Sequence, residues 1–550
     1  MKQNDKVSEL ENEKLKAEIE RLKKELKKKK KYGLVWEEKP EEVVEMCKEK
    51  LPVLKEVKNK EIITDKDKPV NLLIEGDNYH ALSVLNYTHA KKVDVIYIDP
   101  PYNTGNKDFV FNDHYVDKED AYRHSKWLSF MEKRLKLAKN LLKDTGVIFI
   151  SIDDNEVAQL KLLMDNPDLF GENNFVDYIV WEKKSSAKGV PPVNMLVNVH
   201  EYIIAYQRSN KFSFLGEPRS LEGFSNPDND PRGPWRNTNI KSTVKDKSQV
   251  FTIIDPKTGN SFTDTWAYSK KEIERLIKEN YLIFPKNKNG QVRKKEFYNE
   301  FKKENMPIKS SWGLFDNQKN TEMLKDILGD AIFLNPKPLD LLTYLLKSTI
   351  KKDAVVLDFM AGSGTTAHAV LKLNKEDGGS RKFILCTNNE DNNGNGYKIA
   401  EDICYPRIKK VIEGYTGKIS KKKIEGLGGN LKYFKTDFVD YDNSTDKNKI
   451  KLTEQATEML CVKEETFEKV VDNERFKIFK NSSHYTGIIW DQVAIPAFKK
   501  AIKDIKGKFS IYVFSLGDET FDDEFDDVKQ KVQLSPIPEA ILRVYRRIFK

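Results

Sequence analysis

Cysteine is scarce in this sequence, and the cysteines that occur stand far apart. The 550 residues contain four of them, Cys47, Cys386, Cys404 and Cys461. No two have the short spacing of a metal site, and so sparse a set does not form a disulfide framework. The sequence therefore predicts a protein without a metal centre that works in a reducing compartment, the cytoplasm.

Long apolar runs and the signatures of molecular motors are missing as well. The longest apolar runs have only the length of a strand, and the first residues lack the pattern of a leader, so we expect neither a membrane span nor secretion. No glycine-rich loop continues into Gly-Lys-Ser or Gly-Lys-Thr, which argues against an ATP-driven motor. A chain of this length with 39% hydrophobic residues can still bury more than one core, and we expect two to four domains.

The most specific feature present is an Asp-Pro-Pro-Tyr tetrapeptide, which follows an apolar run at residues 93–98. Its members are Asp99, Pro100, Pro101 and Tyr102. The two prolines fix the backbone and remove two N–H donors, so the loop offers a carboxylate, free carbonyl groups and an aromatic face. This combination suits a planar amine such as the exocyclic amino group of adenine.

The chemistry of such an amine explains why these residue types occur together. The nitrogen is a poor nucleophile because its lone pair is delocalised into the ring. If the Asp99 carboxylate and the Pro100 carbonyl each accept one N–H, the nitrogen moves towards tetrahedral geometry and its lone pair can attack an electrophile. Tyr102 would stack on the base. A rigid turn without catalytic function is the alternative interpretation, so a second motif has to decide.

That second motif is a glycine-rich turn between an apolar run at 354–357 and a helical pattern at 367–373. It comprises Asp358, Phe359, Met360, Ala361, Gly362, Ser363, Gly364, Thr365 and Thr366. Glycines let a ligand approach the backbone, and the start of a helix favours a carboxylate or a phosphate. The turn lacks the full dinucleotide-binding spacing, since Ala367 stands where the third glycine belongs, although alanine is sometimes tolerated there. Paired with Asp-Pro-Pro-Tyr, the turn indicates S-adenosylmethionine, with its methionine carboxylate over the helix start.

With both motifs in this order, the chain resembles the amino-methylating DNA methyltransferases of the beta arrangement, most of all the modification subunits of Type III restriction-modification systems. In that group the Asp-Pro-Pro-Tyr half comes first, a target recognition domain is inserted, and the cofactor loop comes last. Further segments that carry the resemblance are 74–78, 102–105, 124–128, 146–154 and 335–338. It covers most of residues 70–415.

The resemblance implies an α/β, Rossmann-like, circularly permuted methyltransferase fold that acts on adenine N6 of a flipped-out base in double-stranded DNA. The tetrapeptide Asp99, Pro100, Pro101 and Tyr102 would be catalytic. The cofactor would be held by Asp77, Pro336, Lys337, Asp358, Phe359, Ala361, Gly362, Ser363, Gly364, Thr365, Thr366 and Glu390. A helix cap is the alternative role for Asp77. Asn388 is the alternative to Glu390, because the residue expected at this strand end for the cofactor ribose is acidic and here Thr387 and Asn388 come first.

Besides the glutamine methyltransferases that act on proteins, which share a related Asn-Pro-Pro-Tyr but lack the permuted order and the large insert, two other functions stay open. Cytosine N4 offers the same amine chemistry, although relatives that use it usually carry Ser at the position of Asp99. A non-catalytic DNA-binding subunit that retains the fold is the second alternative. Because the chain has no motor or nuclease motif, a separate helicase-nuclease subunit would cut DNA if the protein belongs to a restriction system; a solitary methylase is equally compatible.

Alternating strand and helix patterns over 70–165, resumed over 339–386, predict a parallel sheet with covering helices. Both motifs follow strands of this sheet, so we expect them at its carboxyl edge in a single active site. The methyltransferase domain then consists of a catalytic half, 70–180, and a cofactor half, 331–429.

Residues 181–330 interrupt this alternation with short, turn-rich segments. They carry 26 Lys or Arg and 19 Asp or Glu, a net charge of +7 in a chain whose total is +9. We expect an inserted target recognition domain that places basic side chains on phosphates; a lysine-rich surface without DNA contact is the alternative. The candidates for the DNA-facing surface are Arg232, Arg236, Lys241, Lys245 and Arg293.

The flanking segments carry no catalytic chemistry. Leu15, Ile19, Leu22 and Leu26 form a short heptad seam within 1–31, which predicts a helix that dimerises or binds a partner, with a solvated arm as the alternative. We expect a connecting helical segment over 32–69 and a C-terminal α/β module over 430–550. That module includes an acidic stretch with seven Asp or Glu between 518 and 527, an unfavourable surface for DNA.

Overall fold

The computed structural model describes residues 36–106, 108–112, 114–185, 195–243, 249–287, 289–330, 333, 335–391, 396–440, 446–517, 519 and 521–549. The predicted N-terminal helix over 1–31 lies outside the described residues. Within the described ranges, no helix is long and apolar enough to cross a membrane.

The described elements alternate along most of the chain. The strands are β1 Lys50–Glu56, β2 Ile62–Ile63, β3 Val70–Glu75, β4 Val93–Ile98, β5 Val110–Phe111, β6 His114–Tyr115, β7 Leu142–Ile152, β8 Phe175–Glu182, β9 His200–Gln207, β10 Trp235–Asn239, β11 Val250–Ile254, β12 Ser261–Thr265, β13 Leu282–Ile283, β14 Arg293–Phe297, β15 Ser311–Leu314, β16 Val355–Asp358, β17 Lys382–Thr387, β18 Gly414–Thr416, β19 Lys423–Glu425, β20 Asn430–Asp440, β21 Glu468–Asp472, β22 Phe476–Lys480, β23 His484–Ile489, β24 Lys508–Phe514 and β25 Val532–Ile537. The α-helices are α1 Glu42–Met46, α2 Asn78–Thr88, α3 Arg123–Leu141, α4 Val157–Met164, α5 Lys270–Lys278, α6 Tyr298–Phe301, α7 Asn317–Leu328, α8 Leu339–Thr349, α9 Thr365–Asp377, α10 Tyr405–Glu413, α11 Asp446–Gln455, α12 Thr457–Glu464, α13 Ile495–Ile502 and α14 Glu539–Ile548.

A large mixed sheet organises the main unit, which comprises residues 1–213 and 309–550. Its strand order is β1-β20-β3-β17-β16-β4-β7-β9-β8-β15, and β2 pairs with β20 at the side. The six strands from β20 to β7 run parallel, whereas β1 and β9 join them antiparallel. The predicted parallel sheet is therefore confirmed for the centre, and antiparallel strands extend it on both sides.

The central strands form where the sequence is apolar over consecutive residues. Ile96, Leu357 and Leu385, on three neighbouring strands, are fully buried, as expected when helices cover both faces of a parallel sheet. The helices begin at recognisable signals: Asp77 accepts a hydrogen bond from the backbone N–H of Tyr79 and caps α2. These elements agree with the predicted strands and helices to within a few residues at each end.

A second compact unit comprises residues 214–308. It contains a three-stranded sheet in the order β10-β14-β13 and the β11-β12 ribbon, with a core that includes Trp266 and Ile273. At its base, the backbones of Glu217 and Met306 exchange two hydrogen bonds of 2.9 and 2.7 Å. This unit is narrower than the insert expected over 181–330, because β8, β9 and β15 belong to the main sheet.

The C-terminal part carries a five-stranded sheet in the order β21-β22-β23-β24-β25, in which the last three strands are parallel. The predicted start of the C-terminal module, residue 430, is too early, because β20 pairs with β3 in the main sheet. From β21 onward the segment has the predicted mixture of strands and helices.

The prediction of a connecting helical segment over 32–69 is wrong for most of its described length. Only α1 is a helix there of more than one turn, whereas β1 forms the edge of the main sheet and pairs with β20. Pro52 lies within this edge strand, where a missing N–H donor is tolerated. Leu51, Val53 and Leu54 are buried, so the long-range pairing decides the conformation.

Candidate active site

The two motifs meet at the carboxyl edge of the central sheet. Strands β4 and β16 are parallel neighbours, with Val95 opposite Val356 and Ile96 opposite Leu357. Asp99 therefore follows the end of one strand while Asp358 is the last residue of the next. The predicted juxtaposition of the two motifs at one edge is confirmed.

Buried groups hold the Asp-Pro-Pro-Tyr turn in place. The indole N–H of Trp127, a fully buried side chain on α3, donates to the Pro101 carbonyl at 2.7 Å. Pro100 is buried, and its carbonyl accepts no hydrogen bond from the described part of the chain. The side chain of Asp99 is 30% exposed, so its carboxylate is accessible. The two acceptors that the amine chemistry requires are both present.

A buried charge cluster lies beside this turn, and sequence reasoning found only part of it. The Lys337 ammonium contacts the Glu201 carboxylate at 2.7 Å, the Tyr102 hydroxyl at 2.5 Å and the Asp99 carboxylate at 3.3 Å. Glu201 also accepts from the Tyr102 hydroxyl at 3.1 Å and from Lys183 at 3.2 Å. Lys337 was predicted as part of the cofactor site, and the structure places its ammonium among the groups around Asp99.

Burial and charge act in opposite directions within this cluster. Burial raises the pKa of Asp99 and Glu201 adds to the rise, while the Lys337 ammonium opposes it. Burial alone would lower the pKa of Lys337, but the carboxylates of Asp99 and Glu201 raise it above its ordinary value. The pKa of Glu201 is lowered because Lys337 and Lys183 outweigh its burial. Lys337 is therefore a permanent cation between two carboxylates.

Asn320 on α7 fixes the backbone that carries this lysine. Its side-chain amide donates to the carbonyls of Pro336, at 2.9 Å, and Lys337, and its oxygen accepts from the N–H of Leu339 at 3.2 Å. Asn320 is buried, so these groups have no access to bulk water. This role could not be predicted from the sequence, because Asn320 lies inside the segment predicted as the insert.

The glycine-rich turn has the backbone conformation that its residue types predict. Gly362 and Gly364 have positive φ angles of 49° and 78°, which disfavour any residue with a Cβ atom. A Cβ at Gly364 would stand 3.1 Å from Cys404 Sγ, and one at Gly362 would stand 3.1 Å from the Phe333 ring. Helix α9 begins at Thr365, directly after the turn.

The side chains of the turn are engaged inside the protein. Asp358 accepts from the Thr366 hydroxyl at 2.5 Å and from the N–H of Met360 at 3.0 Å, and burial raises its pKa to about 7. The buried Arg407 guanidinium donates to the hydroxyls of Ser363 and Thr365 at 2.9 and 2.8 Å. Burial lowers the pKa of Arg407 to about 10.

These observations fit S-adenosylmethionine, but they change how the turn would hold it. Phe359 is fully buried in the core, Ala361 donates its N–H to the Cys386 carbonyl at 3.1 Å, and the polar side chains of the turn have partners. The first turn of α9 still offers backbone N–H groups without intrahelical acceptors. A carboxylate at this turn would therefore be bound by backbone N–H groups rather than by side chains.

Two other predicted cofactor residues follow neighbouring strands at the same edge. Asp77 follows β3, caps α2 and contacts the buried Arg134 at 3.4 Å, so the cap alternative describes its contacts within the protein. Glu390 is exposed three residues beyond β17, and its carbonyl accepts from the N–H of Ile399 at 3.1 Å. The side chain of Asn389 accepts from the N–H of Glu401 at 3.0 Å. A ribose contact by Glu390 or Asn388 remains a prediction.

The basic residues predicted to face DNA are mostly paired within the second unit. Arg232 contacts Asp230 at 2.7 Å, Arg236 contacts Glu296 at 2.5 Å, and Lys241 contacts Asp264. Arg293 lies on β14 opposite Asn239, and Lys245 lies outside the described residues. Phosphate contacts by the three paired residues would have to compete with these carboxylates.

Comparison with known proteins identifies what the chain resembles. A family model described as a DNA methylase of the N6/N4 group matches residues 93–405. The chain is 38% identical over 377 residues to the Type III restriction-modification enzyme StyLTI Mod subunit of Salmonella typhimurium. The matched region covers 62% of this chain and 57% of that protein. It is 33% identical over 379 residues to the Type II methyltransferase M.KpnI of Klebsiella pneumoniae, covering 64% of this chain and 89% of that protein.

Other relatives extend the comparison. The EcoPI Mod subunit of Escherichia phage P1 is 34% identical over 417 residues, covering 63% of this chain and 62% of that protein. The chain thus spans less than two thirds of the length of these two Type III relatives. Among solved structures, the M1.HpyAVI–SAM complex matches with 13% identity and a TM-score of 0.30, covering 62% of this chain and 98% of that one.

Proposed function

Because the chain belongs to the DNA methylase family whose model matches residues 93–405, we propose that it transfers a methyl group from S-adenosylmethionine to adenine N6 in double-stranded DNA. The observation that carries the proposal is that the two motifs lie next to each other at the carboxyl edge of the central sheet. The partly exposed Asp99 carboxylate and the Pro100 carbonyl directly follow β4, next to the glycine-rich turn that follows β16. Acceptors for an amine and a donor set for a carboxylate therefore share one edge.

S-adenosylmethionine supplies an electrophilic methyl group when it is bound. The Asp99 carboxylate and the Pro100 carbonyl each accept one N–H of the amine, which directs the nitrogen lone pair at the methyl carbon. The N–C bond forms as the C–S bond breaks, and the electron pair of that bond stays on sulfur. The nitrogen then releases one proton to Asp99 or to water.

The target base has to leave the DNA helix to reach this site. Flipping costs a few kcal/mol, which phosphate contacts and stacking on the Tyr102 ring would offset. The Tyr102 ring is packed beside Lys337, whose ammonium lies 4.7 Å from the ring centroid. A fixed ring orientation suits a stacking platform.

We further propose that the protein is the modification subunit of a Type III-like system. The similarity to Type III Mod subunits supports this role. A separate helicase-nuclease subunit would then be its partner in the cytoplasm, and the second unit, residues 214–308, would read the target sequence. A dimer formed through residues 1–31 stays a prediction from the heptad seam.

The decisive experiment compares wild type with Asp99→Ala on unmethylated genomic DNA and S-adenosylmethionine, followed by nucleoside mass spectrometry. We expect N6-methyladenine from wild type and none from Asp99→Ala, with cofactor binding retained by calorimetry. Asp67→Ala, at an exposed surface position, is the control and should keep its turnover. N4-methylcytosine would identify cytosine as the target base, and the absence of both products from wild type would overturn the proposal.

A further inference from the structure

Glu201 joins the two halves of the candidate active site, although no motif in the sequence includes it. It lies on β9, and its side chain is 8% exposed. One carboxylate oxygen accepts from Lys337 at 2.7 Å and from Tyr102 at 3.1 Å; the other accepts from Lys183 at 3.2 Å. Burying a carboxylate costs free energy, because the charge loses its hydration, and well-formed contacts with all three donors are needed to offset that cost.

The distances indicate what this carboxylate does to its neighbours. The Lys337 ammonium lies nearer to Glu201, at 2.7 Å, than to Asp99, at 3.3 Å. Without Glu201, Asp99 would be the remaining carboxylate in contact with the ammonium. A closer Lys337–Asp99 pair would occupy the carboxylate that the amine needs as an acceptor. The Tyr102 hydroxyl would also lose the carboxylate that accepts its hydrogen bond.

We propose that Glu201 is a positioning residue for methyl transfer: it holds Lys337 and Tyr102 so that the Asp99 carboxylate stays open as an acceptor. The inference rests on the proposed function. Glu201 itself contacts neither the amine nor the donor in this scheme, and it acts through Lys337 and Tyr102.

Other charged groups face the same cluster and have to be considered. Tyr97 and Asp358 interact with the charge of Asp99, and Lys183 and Asp153 interact with Glu201. None of these residues is itself replaced in Glu201→Gln, although Lys183 loses the carboxylate that it contacts at 3.2 Å. The charge of Glu201 raises the pKa of Asp99, so its removal should lower that pKa.

The test measures the pH dependence of kcat for wild type, Glu201→Gln, Glu201→Asp and the control Glu182→Gln. Glu182 is exposed on the neighbouring strand β8, opposite His200, and its replacement removes the same charge away from the cluster. For Glu201→Gln we expect kcat to fall about 10- to 100-fold, the range that follows from a misplaced reacting group. The KM for S-adenosylmethionine should change little.

The acidic limb of the plot of kcat against pH shows whether Glu201 positions the reacting groups or only supports the fold. If Asp99 has to be ionised, this limb should move to lower pH in Glu201→Gln, because Glu201 no longer opposes ionisation. Glu201→Asp keeps the charge but shortens the side chain, so its limb should stay at the wild-type pH while kcat is partly restored.

Several outcomes would overturn the inference. A wild-type kcat in Glu201→Gln would do so, and so would a reduced kcat with an unmoved acidic limb, since that result shows a general packing defect. An equal loss in Glu182→Gln would show that the effect is not specific to the cluster. If wild type forms no methylated base, the proposed function fails first; if wild type is active and Glu201→Gln matches the control, this inference alone fails.

Discussion

Replacing Trp127 with Phe should weaken catalysis by releasing the Asp-Pro-Pro-Tyr turn while leaving its chemistry intact. The substitution keeps a buried aromatic ring on α3 and removes a single N–H donor, the one that lies 2.7 Å from the Pro101 carbonyl. Asp99 and Pro100 stay unchanged. The effect therefore reports on placement of the acceptors, because no group that contacts the amine is altered.

The size of the expected kinetic defect follows from the hydrogen bond that the substitution removes. Leaving a buried acceptor without a partner costs about 1–3 kcal/mol, and Pro101 is only half-buried, so water replaces part of the lost bond. We expect about 1–2 kcal/mol, which corresponds to a decrease of about 5- to 30-fold in kcat/KM for DNA if the whole cost falls on the reactive geometry.

Trp312 provides a matched control. Its indole N–H also donates to a backbone carbonyl, that of Lys309, at 2.7 Å, and its side chain is also buried. Trp312→Phe loses the same kind of bond away from the two motifs. Steady-state methyl transfer with labelled S-adenosylmethionine, together with thermal unfolding of both variants, compares the two losses.

The expected pattern is similar destabilisation in both variants and a kinetic defect confined to Trp127→Phe. Equal kinetic defects would mean that global stability limits turnover. Unchanged kcat/KM in Trp127→Phe, with a normal loss of stability, would refute the argument that this hydrogen bond places the acceptors.

Two more predictions concern residues that support the site. Burial raises the pKa of Asp358 from 3.8 to about 7, so the folded protein binds a proton that the unfolded chain has released, and stability is lost as pH rises from about 4 to about 7. The difference amounts to about 4 kcal/mol. In thermal unfolding, Asp358→Asn should gain stability relative to wild type across this interval, and parallel curves would contradict the assignment. Asn320→Ala leaves the buried carbonyls of Pro336 and Lys337 and the N–H of Leu339 without partners; it should cost about 2–3 kcal/mol and lower kcat. Unfolding and turnover assays check this, and Asn320→Asp, which would set a buried carboxylate against the carbonyls of Pro336 and Lys337, should be less stable than Asn320→Ala.

The central sheet and the position of the motifs could be predicted because their signals are local. Strands such as β4 and β16 are short apolar runs, and the residues that follow them are fixed at one edge by the parallel pairing. Which residues of the motifs bind the cofactor or the amine is still a prediction, since the contacts that the structure records are those within the protein.

The supporting residues could not be predicted, for a different reason. Glu201 acts on Lys337 from a strand 136 residues away in sequence, and both Glu201 and Asn320 fall within 181–330, the segment expected to form a separate domain. Glu201 did leave one signal: it is a charged residue at the start of an otherwise apolar strand, β9, where a carboxylate is tolerated only with partners. Asn320, on a polar helix, left none.

The backbone pairing between the two ends of the second unit also has an evolutionary consequence. The chain enters and leaves residues 214–308 through segments whose backbones are bonded to each other at Glu217 and Met306. The two ends of this 95-residue unit are therefore held together by the unit's own backbone, and a replacement segment would have to match only this pair of ends. If the second unit reads the target sequence, as proposed, exchange of residues 214–308 by recombination would change that sequence and leave Asp99, Lys337 and Glu201, which lie outside the unit, in place.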